Sequence, residues 1–346
     1  MVNVGIIGGT GYTGAELLRL LAMHPKVNIQ VITSRSEAGR LVADLYPNLR
    51  GHCDIAFSEP NVEAMKQCDV VFSATPNGVL MNVARELHEV GIKLIDLAAD
   101  FRIQDIATWE QWYGMKHACP ELVAKAVYGM PEMNREAIKN ADIIANPGCY
   151  VTATTLALLP LVQANKNGAA IDLNGIVVDA KSGVTGAGRG ANVATLYSEV
   201  TDSFKAYGVA GHRHHPEITQ NLTVTAGQNV SITFLPHLVP MQRGILASIY
   251  VDPVEGIDIA ARYTNRYKDE PFVDILPQGV FPETRSVRSS NICRIAFCQP
   301  KVGDKLIILS AIDNLTKGAA GQAVQNFNLM FGFDETLSLS NPAMMP

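Results

Sequence analysis

Cysteine is scarce in this chain of 346 residues: Cys53, Cys68, Cys119, Cys149, Cys293 and Cys298 lie scattered, and no two form a C-x-x-C pair. That spacing supports neither a disulfide scaffold nor a structural zinc site, so reduced thiols and no metal are expected. Charge is also thin. Charged residues make up 18%, form no block and sum to a net charge of -5. This gives no general attraction to nucleic acid or to an anionic membrane, although a local basic pocket could still bind a small anion. No apolar run approaches the ~20 residues of a membrane-spanning helix. The chain opens directly on an apolar strand pattern, Val2 to Ile7, without the regions of a signal peptide. A cytoplasmic protein that binds small molecules, and neither nucleic acid nor membrane, is expected. Internal repeats and low-complexity tracts are lacking too.

Apolar side chains are plentiful at 47%, enough for sizeable cores, and the length points to two domains. Val2 to Gly8 reads as a buried strand, Gly8 to Gly14 as a glycine-rich turn, and Gly14 to Met23 as a helix stopping near Pro25. Further strands are expected at Asn28 to Ser34, Asp69 to Thr75, Lys93 to Ala98 and Asp142 to Ala145, with helical stretches around Glu63 and over Asn77 to Val90. The alternation predicts an α/β fold with a Rossmann-like, doubly wound parallel sheet. After Asn146-Pro147-Gly148-Cys149, Thr152 to Leu159 reads as a core helix, and the texture then changes. Longer strands are expected at Gly175 to Lys181, Asn229 to Leu235, Gly244 to Asp252, Ile292 to Phe297 and Lys305 to Ile312, with helices over Ile257 to Tyr267 and Ala319 to Met330. This second part reads as an α+β domain with a mixed or antiparallel sheet. The tail, Ser338 to Pro346, is expected to be frayed.

Several segments carry chemistry. Gly9, Gly11 and Gly14, preceded by Gly8, form G-x-G-x-x-G between the first strand and helix, where glycines admit a pyrophosphate to helix amides. At the end of the second strand an acidic residue would hold an NAD ribose; Ser34-Arg35-Ser36 stands there instead, and a guanidinium with hydroxyls suits the 2′-phosphate of NADP(H). Cys149 lies between a strand and a helix, where helix-end amides favour thiolate over thiol. His212-Arg213-His214-His215-Pro216-Glu217 offers a base that titrates near neutrality, with Glu217 placed to orient it. The same block read as a metal site lacks companion ligands, and read as exposed loop histidines has no role. Lys181 to Gly190 is glycine-rich, hydroxyl-bearing and basic, suited to closing over an anion or to being a plain mobile loop. Arg102, in Asp100-Phe101-Arg102, would stand near the carboxyl edge of the sheet as an anion ligand, or pair with Asp100 or Asp105.

Taken in order, these segments resemble the N-acetyl-γ-glutamyl-phosphate reductase family of arginine biosynthesis, within the semialdehyde dehydrogenase superfamily. The resemblance covers almost the whole chain. It includes Gly8 to Gly14, Ser34-Arg35 with Ala38-Gly39, Asp96 to Arg102, Tyr128 to Glu132, Asn146 to Tyr150, Lys181 to Arg189, His212 to Ile218, Pro236 to Met241 with Arg243-Gly244, and Asp313 to Leu315 with Lys317 to Asn326. Asn77 stands where one family form has histidine, and the His212 loop is one residue shorter than in some relatives.

The resemblance implies a Rossmann domain over residues 1–148, completed by the C-terminal helix within 318–346, and a catalytic and subunit-contact domain over 149–317. It implies that Cys149 forms a thioester and that His212 is the general acid/base. Gly8, Thr10, Gly11, Tyr12, Thr13, Gly14, Ser34 and Arg35 would hold NADP(H), with Ser182, Gly183 and Asn314 near the nicotinamide. Arg102, Asn146, His214 and Arg243 would contact N-acetyl-glutamyl phosphate or the released phosphate, in a homodimer or homotetramer. An aspartate-semialdehyde dehydrogenase, or a non-catalytic NADP-binding sensor, would share many of these features.

Overall fold

The computed structural model describes residues 1–164 and 170–345, so Pro346 at the tip of the tail lies outside the described residues. The chain divides into two compact units: Met1–Gly148 with Gly188–Gly190 and Ala319–Ser340, and Cys149–Ala187 with Ala191–Gly318 and Asn341–Pro346.

The first unit is built on six strands, β1 (Val2–Ile7), β2 (Val27–Thr33), β3 (Val70–Ser73), β4 (Lys93–Asp96), β5 (Val127–Tyr128) and β6 (Ile143–Ala145). They lie in the order β2-β1-β3-β4-β6-β5, and every pairing is parallel. This is the expected doubly wound sheet. The chain reverses direction of travel across the sheet at β1, so the turn after β1 opens where such sheets bind ligands. The central strands are apolar on both faces because both are covered. One cover includes Leu80, Leu87, Phe101 and Trp109. The other includes the helix Gly321–Met330, whose Phe327 ring lies 5.8 Å from that of Phe72 in β3.

Two local expectations fail here for physical reasons. The helix expected over Asn77 to Val90 is confined to Ala84–Glu89 after a short 3₁₀ turn, Leu80–Asn82. Gly78 takes the left-handed φ of 88°, and its N–H is held by Asp100 Oδ1 at 2.7 Å, so the helix starts late. The tail is tied down instead of frayed: Ser338 Oγ donates to Leu20 O at 2.9 Å, Leu339 is buried, and Met344 N donates to Arg288 O at 2.9 Å.

The second unit carries seven strands, β7 (Ile176–Gly183), β8 (Lys205–Ala206), β9 (Ile232–Val239), β10 (Ile245–Val251), β11 (Val273–Ile275), β12 (Cys293–Cys298) and β13 (Leu306–Ile312). Their order is β11-β12-β13-β10-β7-β9-β8. The sheet is mixed: β7 with β9 and β11 with β12 are parallel, the other pairs antiparallel. Alternation along β7 and β9 turns Ile176, Val178 and Ala180, and Ile232 and Phe234, inward, and leaves Asp179, Lys181, Leu235 and His237 half-buried on the other face.

The helix Cys149–Ala164 is apolar on every side, and from Tyr150 to Val162 its residues are buried. A helix with no polar face must lie inside its unit. It packs on β10, β13 and a helix that went unrecognised in the sequence, His214–Ala226. Pro160 sits within the buried helix. Proline has no N–H, so the carbonyl four residues earlier loses its helical donor. That carbonyl, of Leu156, accepts instead from the Tyr267 hydroxyl, and the next, of Ala157, accepts from the Tyr263 hydroxyl. Both tyrosines come from the helix Ile259–Tyr267 and are buried.

Tyr267→Phe is therefore expected to lower the thermal midpoint by an amount equivalent to about 1–3 kcal/mol, the cost of a buried carbonyl without a donor. Adding Pro160→Ala, which restores a backbone N–H beneath Leu156 O, should recover part of that loss by calorimetry. Equal destabilisation with and without the proline would contradict this pairing.

Candidate active site

In the first unit the glycine turn shows why each glycine is needed. Gly8 has φ of 84°, and a side-chain carbon on it would come within 2.8 Å of Ala74 O. One on Gly9 would strike Ile32 at 2.3 Å, and one on Gly14 would lie 2.8 Å from Gly8 O. These three glycines close the turn onto strand and helix. Gly11 differs: a side-chain carbon there would meet nothing within 4 Å. The helix Tyr12–Leu21 begins at Gly11 without a side-chain cap, so its first amides face that open ground. Thr10 turns its carbonyl to the Tyr46 hydroxyl and to Arg189, each at 2.8 Å. Tyr12 is exposed. At the end of β2, Ser34 is buried and its Oγ accepts from the N–H groups of Ser36 and Glu37. Arg35 is exposed, with no carboxylate partner among the described residues. Bare helix amides, a glycine with nothing above it and an exposed guanidinium fit a phosphorylated dinucleotide.

In the second unit Cys149 is the first residue of its helix and, unlike Cys53, Cys68, Cys119 and Cys293, is only partly buried. Burial pushes the Cys68 thiol up to about 11 and that of Cys119 up to about 12, so those two stay protonated and inert. The Cys149 backbone is pressed by Gly318, where a side-chain carbon would stand 2.7 Å from Cys149 Cβ. Gly318 lies in a π-helical turn, Thr316–Ala320, a form that recurs at functional sites.

Around the cysteine's neighbour gathers an aromatic cluster. Tyr150 meets His212 edge-on at 5.7 Å, His214 at 5.9 Å and Phe234 at 5.4 Å between ring centres. Tyr207 donates its hydroxyl to Tyr150 Oη at 2.9 Å and lies edge-on to His212 at 5.6 Å. Burial raises both phenols well above the usual tyrosine range, and Cys149 stands close enough to add to the shift. Burial, with a smaller push from Arg213, lowers His212 to about 4. The imidazole is therefore neutral at pH 7. Its Nδ1 accepts from the His214 N–H at 3.1 Å, which assigns the ring proton to Nε2. Glu217 is fully buried in the first turn of the same helix.

The remaining residues singled out in the sequence are held in place by internal bonds. Arg102 is buried; its Nε donates to Asn146 O at 2.7 Å and one terminal nitrogen to Leu97 O at 2.9 Å. Asn146 is fully buried, bonding Ala319 O and Asn326 through its side chain. Arg243 pairs with the buried Asp313, Nε to Oδ2 at 2.9 Å and a terminal nitrogen to Oδ1 at 3.0 Å. Asn314 accepts from Gly244 N at 2.7 Å and donates to Thr185 Oγ1 at 3.0 Å. Gly183 lies so close to Gln242 that a side-chain carbon would be 2.6 Å from its carbonyl oxygen, and Ser182 Oγ bonds Gly183 O. Tyr150, Tyr207, Phe234 and Gly318 were not singled out. Buried aromatics give no local sequence signal of a site, although Gly318 stands in the small-residue Lys317 to Gly321 run. Among the described residues no three histidine, cysteine or carboxylate side chains form a metal-holding group. No helix of the described residues is long and apolar enough to cross a membrane.

Comparison with known proteins matches two family models: the semialdehyde dehydrogenase NAD binding domain over residues 3–141 and the semialdehyde dehydrogenase dimerisation domain over residues 149–314. An N-acetyl-gamma-glutamyl-phosphate reductase of Nitrosospira multiformis is 60% identical over 346 residues, all of both chains. One of Laribacter hongkongensis is 58% identical, again over all of both. Among solved structures, aspartate semialdehyde dehydrogenase II of Vibrio cholerae, complexed with ASA, superposes with a TM-score of 0.71 at 19% identity, covering 96% of this chain and 98% of that one. The Candida albicans aspartate semialdehyde dehydrogenase with NADP gives 0.69 at 15% identity, covering 96% and 98%. At such identities the structures speak for the fold alone. With both family models matched in succession and relatives up to 60% identical along its full length, the chain belongs to the semialdehyde dehydrogenase family, in its N-acetyl-γ-glutamyl-phosphate reductase group.

Proposed function

We propose that the protein reduces N-acetyl-γ-glutamyl phosphate to N-acetyl-glutamate 5-semialdehyde, with release of phosphate, as a step of arginine biosynthesis in the cytoplasm. The observation that carries this reading is the full-length identity of up to 60% to relatives bearing that enzyme's name. NADP(H) would be held by Gly8, the Thr10–Gly14 turn, Ser34 and Arg35, and when bound it supplies the hydride that reduces the acyl group.

Cys149 acts as the nucleophile. Its thiolate, favoured by the amino end of a 16-residue helix, attacks the γ-acyl carbon. The carbon–oxygen bond to phosphate breaks, phosphate departs and a thioester remains on the cysteine. After reduction, the thiohemiacetal oxyanion collapses: its carbon–sulfur bond breaks, the aldehyde leaves and the Cys149 thiolate is restored. His212, neutral and carrying its proton on Nε2, donates a hydrogen bond from that N–H to the oxygen that develops negative charge, and the bond weakens on collapse as the oxygen's electron pair re-forms the carbonyl. Glu217 would support the histidine-bearing helix start. His214 stands beside His212, with ring centres 4.8 Å apart, as a substrate contact. Arg102, Asn146 and Arg243, each of which also bonds protein atoms, would contact the phosphate or the α-carboxylate of the substrate. Ser182, Gly183 and Asn314 would act on the nicotinamide side through the backbone they fix.

A homodimer or homotetramer is supported by the matched dimerisation domain and by the outward face of the second sheet, where Leu235, Leu246, Tyr250, Ile307 and Leu309 are only half-buried.

Three outcomes test this reading. Phosphate-dependent reduction of NADP with N-acetyl-glutamate semialdehyde should fall by roughly a thousandfold or more in Cys149→Ser, whereas preference for aspartate semialdehyde would overturn the substrate, and NADPH binding without turnover would restore the sensor reading. Because His212 lies lowered to about 4 from 6.5, kcat/KM should hold level as pH falls through 6.5 and drop only on approaching 4. The unfolded chain takes up that proton first, so stability declines over the same window; an acid limb centred at 6.5 would contradict the buried histidine. Arg35→Ala should raise the Kd for NADPH by about tenfold or more, as expected for a lost guanidinium–phosphate pair, and leave that for NADH nearly unchanged; equal losses for both would remove Arg35 from the 2′-phosphate.

A further inference from the structure

The helix Gly321–Met330 carries four amide side chains, Gln322, Gln325, Asn326 and Asn328, all fully buried. A buried amide costs free energy unless it is hydrogen-bonded, so each must serve a partner. Gln325 and Asn328 hold the chain that follows, bonding Glu335 Oε1, Glu335 O and Leu337 O. Gln322 and Asn326 face the sheet instead. Gln322 Nε2 donates to Gly129 O at 2.9 Å, and Asn326 Nδ2 donates both to Gly129 O at 2.8 Å and to Asn146 Oδ1 at 3.1 Å. Gly129 allows this approach, since a side-chain carbon on it would stand 2.5 Å from Asn326 Nδ2.

Asn146 is where strand β6 ends, three residues before the nucleophile. Four bonds hold it: its N–H to Asp96 O at 2.9 Å, its carbonyl from Arg102 Nε at 2.7 Å, its Nδ2 to Ala319 O at 3.1 Å and its Oδ1 from Asn326. The backbone pair fixes where the turn Asn146-Pro147-Gly148 starts. The side-chain pair anchors the residue from its other end, so that its Cα, from which the turn departs, is held between two backbone bonds and two side-chain bonds. Proline at 147 then extends that hold with a locked φ.

We propose that Asn326 is a positioning residue for the nucleophile: through Asn146 it sets the Asn146–Gly148 turn that presents Cys149 at the amino end of its helix. Asn326 touches no reacting atom. This rests on Cys149 being the nucleophile, and adds that a residue 177 positions downstream governs its geometry. Gln322 supplies an internal comparison, because it bonds the same Gly129 carbonyl and has no bond to Asn146.

The test measures alkylation of Cys149 by iodoacetamide against pH, read by mass spectrometry on the Cys149 peptide of the NADP-loaded full-length protein. Thermal midpoint, kcat, KM and NADPH Kd are recorded alongside. Asn326→Leu should slow alkylation several-fold, move its pH profile upward and lower kcat about tenfold or more, as misplacement of a reacting group by a fraction of an ångström does, with KM and Kd within about twofold. Gln322→Leu should lose comparable thermal stability and leave the alkylation profile in place. If Asn326→Leu does not fold, Asn326→Ala removes the amide without adding a branched side chain and is read the same way. Asn146→Ala with Asn326→Ala together should be no slower than Asn146→Ala alone. Coincident alkylation profiles for the Asn326 and Gln322 variants, or multiplying effects of Asn146 and Asn326, would overturn the proposal. Alkylation needs no substrate, so a wrong substrate assignment would show as absent turnover in the unaltered protein and would leave this comparison intact.

Discussion

Everything near the candidate nucleophile depends on one constraint: the helix that begins at Cys149 has no polar face. Tyr150 through Val162 must leave water together, which forces the helix into the middle of its unit and leaves its amino end as the place where it can meet a ligand. The buried position brings costs that neighbouring elements offset. The proline inside it strips a donor from Leu156 O, and Tyr267 supplies another; the aromatic rings that seal its first turn also desolvate His212 and keep it neutral. The chemistry and the packing of the helix thus arise from the same burial.

The backbone plan was legible from the sequence where local pattern and burial agree. The strand, glycine turn and helix at the start, the β-branched runs of the parallel sheet, and the longer alternating strands of the second sheet all appear within a few residues of where periodicity puts them. The failures have physical causes of long range. Asp100, twenty-two residues away, takes the Gly78 N–H and delays a helix. The helix His214–Ala226 was hidden by its histidines, although Pro216 in its first turn and the left-handed Gly227 at its end, φ 68°, mark its limits.

At the site, a sequence displays residue types and not their attachments. Tyr150 and Tyr207 draw His212 and His214 into one aromatic cluster beside Cys149, and a buried aromatic carries no local signal of such a role. Arg102, Asn146, Arg243 and Asn314 stand in dense motifs, and in the fold each also bonds protein atoms. Dense motifs near catalytic residues record both duties.

The first unit is discontinuous, and this has a bearing on synthesis. Its sheet is encoded within the first 145 residues, but Phe327, which covers the Phe72 side of that sheet, belongs to a helix, Gly321–Met330, made only after a further 175 residues. On the ribosome the nucleotide-binding half must therefore wait, with one apolar face uncovered, while the whole second sheet is being produced. The same late helix carries Asn326, so the nascent chain completes its dinucleotide fold and fastens Asn146, at the strand end before its candidate nucleophile, in one closing event.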